Sequence, residues 1–241
     1  MRIVLITEKL KEALNTVERA ISTRSSLPIL NNVALKTDKG EIIIEATDLE
    51  IGISYRITGK VEEEGGISVP GRLFSGLINQ ITDESITLES KDNNLIIKTE
   101  NTHATLAGTS LDDYPVIPSL SGDPVLVVEK GLKEVLSQVS FATSIDETRP
   151  ILTGVYFSFQ EEGLILAATD SYRLAERKTN LKVSKLPLSG AIVPVKAVSE
   201  VARLADGEKV IIYLSENQIV FEVGAVKITS RLIDGEYPNY Q

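Results

Sequence analysis

The sequence of 241 residues has no cysteine and no tryptophan, and it has only one histidine. Without cysteine, neither a disulfide nor a thiolate-ligated metal site can form, and this composition fits a reducing compartment. Catalysis built on histidine has one candidate, His103, in the alternating stretch NTHATLAG. A half-exposed strand residue is the more ordinary interpretation of a histidine in such a pattern.

Long hydrophobic runs are also missing. The apolar run near the N-terminus, in MRIVLITEKLKE, is only four residues long before charged residues resume. A signal-peptide core needs a longer run, and a membrane span needs about 20 apolar residues. We therefore expect a cytoplasmic protein without a membrane partner.

The charge balance is acidic, with 34 acidic against 25 basic residues and a formal net charge of −9. Taken alone, this disfavours a nucleic-acid partner, because phosphate contacts need clustered lysine and arginine. Net charge does not describe where the basic residues lie, however, and a local basic surface would be enough. Hydrophobic content of 42% with 24% charged residues is typical of a soluble globular protein.

The chain contains two copies of one unit. At an offset of 122 residues, EKLKEALNTV (Glu8–Val17) matches KGLKEVLSQV (Lys130–Val139), and the tripeptide ATD at 46–48 matches ATD at 168–170. Further along, the offset is 124 and NNLIIKT matches NQIVFEV. Register kept over about 100 residues indicates a tandem duplication. We predict two domains, residues 1–121 and 122–241.

Each copy shows the same order of elements, a strand, a helix and three strands, twice over. Apolar residues at helical spacing, with prolines suited to a first helical turn, predict four helices. These are 7–21, 70–81, 129–140 and 194–205. In the first copy, strands are predicted near 32–36, 41–46, 51–58, 85–89, 95–99 and 104–107. Helices packed on antiparallel sheets, with strands outnumbering helices, define an α+β fold.

Basic residues are concentrated on the predicted helices. The four helices carry eight basic and six acidic residues, although the whole chain is strongly acidic. Arg24 and Arg149 follow the first helix of each copy and add to this bias. Charged residues that only solvate exposed helices are one interpretation. The other is a weakly positive surface that binds phosphates without reading bases.

Several motifs together resemble one family. They are RSSLPILNNV, ATDLEIGISYRI, VPGRLFSGLI, AATDSYRLAERK, IVPVKAVSEV and RLIDGEYPNY, and they span nearly the whole chain. In this order they resemble the bacterial DNA sliding clamps, the beta subunits of DNA polymerase III. The resemblance implies tandem clamp domains and a non-catalytic ring, without cofactor or metal, that encircles double-stranded DNA and slides without sequence specificity.

The resemblance also implies how the protein assembles. Family members have three such domains and close head to tail as homodimers, so the first two domains are expected here and the third is absent from this chain. Helices line the hole of the ring and face DNA. By matching positions, the expected DNA contacts are Arg24, Arg72, Arg149 and Lys196.

A hydrophobic groove is the second site that the resemblance implies. It receives short linear peptides from the replicative DNA polymerase, the clamp loader and repair proteins. The matching residues here are Leu152, Thr169, Tyr172, Arg173, Leu174 and Pro238. A few apolar anchors in such a groove can carry most of a peptide's binding energy.

Two other functions stay open from the residues alone. A metal-dependent hydrolase could use Asp48 and Asp170, or the acidic pairs Asp112-Asp113 and Asp234/Glu236, as paired carboxylates. A general protein-interaction scaffold is the other. Against the hydrolase, aspartate after a buried strand commonly shapes a turn by accepting backbone N–H groups. We predict this role for Asp48 and Asp170.

Overall fold

The computed structural model describes residues 1–22, 27–120, 122–184 and 190–240. The chain divides into two compact units, Met1–Ile117 and Pro118–Gln241. Among the described residues, no helix is long and apolar enough to cross a membrane.

Unit 1 contains nine strands and two α-helices. The strands are β1 Arg2–Ile6, β2 Asn32–Asp38, β3 Glu41–Thr47, β4 Ile51–Ile57, β5 Lys60–Glu63, β6 Gly66–Pro70, β7 Ser85–Lys91, β8 Asn94–Lys98 and β9 His103–Ala107. The helices are α1 Thr7–Val17 and α2 Gly71–Gln80. One antiparallel sheet has the order β5-β1-β7-β8-β9, and in another β4, β3, β2 and β6 follow one another.

Unit 2 repeats this plan. The strands are β10 Leu126–Val128, β11 Gly154–Gln160, β12 Gly163–Thr169, β13 Leu174–Lys178, β14 Ala191–Pro194, β15 Val210–Leu214, β16 Gln218–Val223 and β17 Val226–Arg231. The helices are α3 Leu132–Ser140 and α4 Val195–Leu204. One sheet has the order β13-β12-β11-β14, and β10, β15, β16 and β17 follow one another in the other. The α+β prediction and the repeated strand–helix–three-strand order are therefore confirmed.

The helices of each unit pack together and cover the buried side of its sheets. In unit 2, Phe157 of β11 and Phe221 of β16 are fully buried, and their ring centres lie 6.3 Å apart at 62°. Edge-to-face contacts of this kind add to the stabilisation from burial itself. The two sheets of unit 2 are thus joined through one core, capped by Leu136 and Val198 from the helices.

Three details differ from the prediction. Helix α1 ends at Val17 rather than at 21, and a short 3₁₀ helix, Glu18–Ala20, follows it. Helix α3 begins at Leu132 rather than at 129, because Gly131 adopts a left-handed backbone with φ of 86° that stops the helix from extending backwards. Strand β5 was not predicted, since its sequence KVEE has a single apolar residue and no alternation. It forms because it pairs with the edge of β1, a tertiary contact that local pattern does not encode.

Candidate functional site

The first ATD segment forms a tight turn at the end of β3. The Asp48 carboxylate accepts the backbone N–H groups of Glu50 at 3.0 Å and Ile51 at 2.8 Å. The Thr47 hydroxyl accepts the N–H of Leu49 at 3.0 Å and donates to the carbonyl of Ile51 at 2.9 Å. Leu49 adopts a φ of 76°. The Asp48 carboxylate therefore serves as a backbone acceptor within this turn, as predicted.

The second ATD segment forms the same turn at the end of β12. The Asp170 carboxylate accepts the N–H groups of Tyr172 at 2.9 Å and Arg173 at 3.0 Å. The Thr169 hydroxyl accepts the N–H of Ser171 at 3.1 Å and donates to the carbonyl of Arg173 at 2.7 Å. Ser171 adopts a φ of 79°. The backbone N–H groups of Tyr172 and Arg173 hold the pKa of Asp170 below its usual value.

The two turns present different side chains. After the first turn, Ile51 is buried and begins β4 inside the core. After the second, the side chain of Tyr172 is 95% exposed and that of Leu174, the first residue of β13, is 48% exposed. Large apolar side chains held in the open by a rigid turn are suited to contact a partner. The first turn exposes a single large apolar side chain, Leu49 at 43%, whereas the second exposes both Tyr172 and the adjoining Leu174.

Arg173 is fixed in place by two contacts. Its Nε donates to the Asp170 carboxylate at 3.1 Å, and its guanidinium carbon lies 5.6 Å from the centre of the Phe141 ring. The second distance is within the range of a cation–π contact. Phe141, just after α3, is itself 59% exposed. The turn therefore lies beside another exposed apolar side chain that the sequence prediction did not include.

Arg149 lies against this same turn. Its Nη1 donates to the Ser171 hydroxyl at 3.0 Å, and its Nε is 3.9 Å from the Asp146 carboxylate. Arg149 was expected to contact DNA because its position matches the family that the sequence resembles. In the structure it lies with the groove residues, a position that only tertiary contact could reveal.

Leu152 forms the inner support of the site rather than its surface. It is 4% exposed, and its carbonyl accepts the N–H of Ser144 at 2.8 Å. This bond ties the loop after α3 to the short 3₁₀ helix Pro150–Leu152. Leu152 is thus a buried residue, whereas Tyr172 and Leu174 are exposed.

Pro238 reaches the site through the C-terminal segment. Gly235 lies so close to Ile151 that an added Cβ would be 2.8 Å from its Cγ2. Tyr237 is buried, and its hydroxyl approaches the backbone of Thr169 without forming an aligned hydrogen bond to any described residue. Pro238 itself is exposed. The segment therefore brings Tyr237 next to the end of β12, and Pro238 lies in the same pocket wall as Tyr156 and Ile165.

An open pocket of about 280 Å³ adjoins Pro238. Its walls are Tyr156, Ser158, Gln160, Ile165, Tyr237, Pro238, Asn239 and Tyr240. The rings of Tyr156 and Tyr237 stack at 5.0 Å with an interplanar angle of 9°. Burial and a hydrogen bond to Glu176 raise the pKa of Tyr240 to about 12. The motif RLIDGEYPNY contains Tyr237 and Tyr240 and was the available signal for these two tyrosines.

The predicted DNA-contact residues on helices occupy equivalent places. Arg72 is the second residue of α2 and Lys196 is the second residue of α4, and both are exposed. Arg24 lies outside the described residues. Helix α2 has no acidic residue, and the exposed Gly76 has open space around it.

Other helix cations are engaged within their own units. Lys11 pairs with Glu8 at 2.7 Å, and Arg203 pairs with Glu200 at 3.0 Å. On α3, Lys133 pairs with Asp206 at 2.6 Å. Exposed ion pairs of this kind contribute little to stability, but they reduce the positive electrostatic potential at the helix surface. The positive bias of the helices is consequently mild.

No set of three histidine, aspartate or glutamate side chains in the described part of the chain could hold a metal ion. Asp48 and Asp170 each serve their own turn, in separate units. The two carboxylates therefore act as backbone acceptors in two matching turns.

Comparison with known proteins identifies this architecture. The model of the DNA polymerase III beta subunit N-terminal domain matches residues 1–118, and the model of the central domain matches residues 127–239. The fold is that of the DNA sliding clamps. The chain belongs to the DNA polymerase III beta subunit family.

Individual relatives agree with this assignment. The beta sliding clamp of Staphylococcus aureus (strain Mu50) is 37% identical over 239 residues, covering 94% of this chain and 63% of the relative. The solved sliding clamp of Bacillus subtilis superposes with a TM-score of 0.92 at 29% identity, over 99% of this chain and 66% of that one. That of Bartonella birtlesii, bound to griselimycin, has a TM-score of 0.90 at 33% identity, over 100% and 67%. The chain thus spans 63% of the length of the curated relative.

Proposed function

We propose that this chain supplies the first two domains, 1–121 and 122–241, of a DNA sliding clamp, a non-catalytic processivity factor for DNA replication. The observation that carries the proposal is the match of the family's N-terminal and central domains, in that order, to residues 1–118 and 127–239. In a chain that also carries the third domain, two copies close head to tail around duplex DNA. A role on the chromosome implies the cytoplasm.

The helices are the proposed DNA-facing surface. Arg72 and Lys196 are exposed in the first turns of α2 and α4, where each can approach a phosphate. Phosphate contacts supply affinity without sequence information. Because Lys11, Lys133 and Arg203 on the helices are paired with acidic residues, binding is weak, which suits a protein that must slide along DNA. The acidic remainder of the chain repels DNA from other surfaces.

The second proposed surface is a peptide groove in unit 2. It comprises Tyr172, Arg173 and Leu174 on the ATD turn, with Thr169 and Pro238 beside them and Leu152 beneath. Short linear peptides of the replicative polymerase, the clamp loader and repair proteins are its proposed ligands. Exposed Tyr172 and Leu174 on a hydrogen-bonded turn support this, as does the Bartonella birtlesii relative, which is bound to griselimycin.

The DNA surface is tested by charge removal. The double variant Arg72→Gln/Lys196→Gln should bind a short duplex more weakly, and the slope of log affinity against log salt should fall by about 0.9 for each lost phosphate contact. Fluorescence anisotropy on two duplexes of different sequence measures both affinity and specificity. The two sequences should bind equally.

A matched control removes the same charge elsewhere. Lys60→Gln/Lys91→Gln changes two exposed lysines on β5 and β7, away from the helices. This control should leave the salt slope unchanged. Equal slopes in the two double variants would refute the helix surface.

A further inference from the structure

A second open pocket lies in unit 2, between the start of α3 and the end of β13. Its volume is about 310 Å³, and its walls are Lys130, Gly131, Val135, Arg177, Lys178, Thr179, Asn180 and Leu181. Two of these residues, Lys130 and Arg177, supply cationic side chains and none is acidic, although the chain as a whole carries a net charge of −9. Lys178 is in register with Ile165, so its side chain points to the other face of the sheet. Positive charge gathered in a concave site favours a negatively charged ligand.

The matching place in unit 1 is closed by a side chain. There, Lys9 donates from its Nζ to the Thr58 hydroxyl at 2.7 Å. At the offset of 122 residues, Gly131 stands where Lys9 does and Asn180 where Thr58 does. Glycine has no side chain to make this contact. Unit 2 therefore lacks the side-chain contact that crosses this place in unit 1.

The charges also differ between the two copies. Sheet register pairs Tyr55 with Ile44 in unit 1 and Arg177 with Leu166 in unit 2, so Tyr55 and Arg177 occupy equivalent positions. In unit 1 the Tyr55 hydroxyl donates to Glu12 at 3.0 Å. Unit 2 has instead an arginine at this position, and Lys130 where unit 1 has a glutamate. Both substitutions move the site towards positive charge.

The cations of the pocket are available to a ligand. No carboxylate among the described residues lies within ion-pair distance of Lys130 or Arg177, and Lys178 has only an exposed contact to Glu176 at 3.5 Å. Charged residues on an edge strand can serve merely to prevent aggregation. Prevention of aggregation accounts for Lys178. It does not account for Lys130, which precedes α3, or for the concave shape of the site.

The direction of Arg177 indicates what the ligand is. Its register partner Leu166 is fully buried, and β12 packs under α3, so Arg177 points to the helix side of the sheet. This is the side proposed to face DNA. An arginine fork beside a lysine suits the oxygens of a phosphate group.

We propose that this pocket binds a phosphate group of the DNA backbone. The assignment to DNA, unlike the assignment to phosphate, rests on the proposed function. The pocket is then a DNA contact of unit 2, in addition to the exposed cations of α2 and α4.

The first measurement titrates inorganic phosphate into the ¹⁵N-labelled chain. The amide signals of Gly131 and Asn180 should shift and saturate, and Arg177→Gln should weaken this binding on the order of tenfold. Unshifted Gly131 and Asn180 signals would overturn the site. Shifts caused by poly-glutamate but not by phosphate would overturn the assignment to phosphate.

The second measurement follows binding of a short duplex by fluorescence anisotropy. Lys130→Gln/Arg177→Gln should lower the salt slope by about 0.9 for each lost phosphate contact. The single variant Lys91→Gln, on β7, is the control for an exposed charge elsewhere and should leave the slope unchanged. A double variant with the slope of this control would overturn the assignment to DNA, even if free phosphate binds.

The two proposals fail in distinguishable ways. If Arg72→Gln/Lys196→Gln weakens DNA binding while Lys130→Gln/Arg177→Gln does not, the clamp function stands and the DNA role of the pocket is refuted. If neither double variant differs from its control, the helix surface is refuted as well.

Discussion

Truncating Leu174 tests the proposed peptide groove, and the expected loss of peptide affinity follows from the exposed fraction of this side chain. Burying a leucine side chain fully is worth roughly 1.5–3 kcal/mol. Leu174 is 48% exposed, so a bound peptide can bury about half of it, worth roughly 0.7–1.5 kcal/mol. Leu174→Ala should therefore weaken binding of a polymerase C-terminal peptide about three- to twelvefold.

The assay is a fluorescence anisotropy titration with the labelled peptide, paired with thermal unfolding. Because Leu174 is half exposed at the start of an edge strand, its truncation should change the free energy of unfolding by only about 0.5 kcal/mol. Leu73→Ala is the matched control, since Leu73 is 59% exposed on α2 in the other unit. Unchanged peptide affinity in Leu174→Ala, or an equal loss in Leu73→Ala, would refute the groove assignment.

Two further predictions concern the matching turns and the helix surface. Asp170→Ala should reduce peptide affinity, because the N–H groups that order the second ATD turn lose their acceptor. Asp48→Ala should lower the melting temperature without affecting peptide affinity. A peptide titration together with melting curves distinguishes the two variants. Burial, together with the Glu12 acceptor, raises the pKa of Tyr55 to about 12, above its unfolded value of about 10. The stabilisation from its neutral hydroxyl is complete below pH 10 and is lost as pH rises towards 12, so Tyr55→Phe should flatten the fall in melting temperature over this window. An identical pH profile in Tyr55→Phe and the parent would contradict this assignment.

Internal repetition made much of the fold predictable. Apolar residues at helical spacing in both copies located the four helices. Asp48 and Asp170 were correctly assigned to turns because a short acceptor after a buried strand favours one local geometry. These features depend on residues close in sequence. The pattern of apolar residues then indicated which faces pack inward.

Features that depend on distant residues escaped prediction. Arg149 contacts Ser171, and Tyr156 stacks on Tyr237, across long sequence separations that no local pattern encodes. Gly131 shows the same limit, since its lack of a side chain has meaning only beside Asn180 on another element. The sequence thus indicated which turn carries the proposed groove residues, but not the aromatic and cationic side chains around it.

Duplication also shows how a new surface arises on an unchanged scaffold. The ATD turns keep the same hydrogen bonds in both copies. In the first, the residue after the turn is the buried Ile51; in the second it is Arg173, paired with Asp170 and Phe141. The conserved Thr and Asp hydrogen bonds keep the backbone of the turn the same in both copies, while the side chains that the turn presents differ.

Retention on circular DNA tests the central claim most directly. A chain carrying these two domains and the third domain of the family is loaded onto nicked circular plasmid by its clamp loader, and the DNA is then linearised in half of the sample. A clamp held by topology stays on the circle and slides off the linear molecule. Equal retention on both forms, or equal loss from both, would contradict the account.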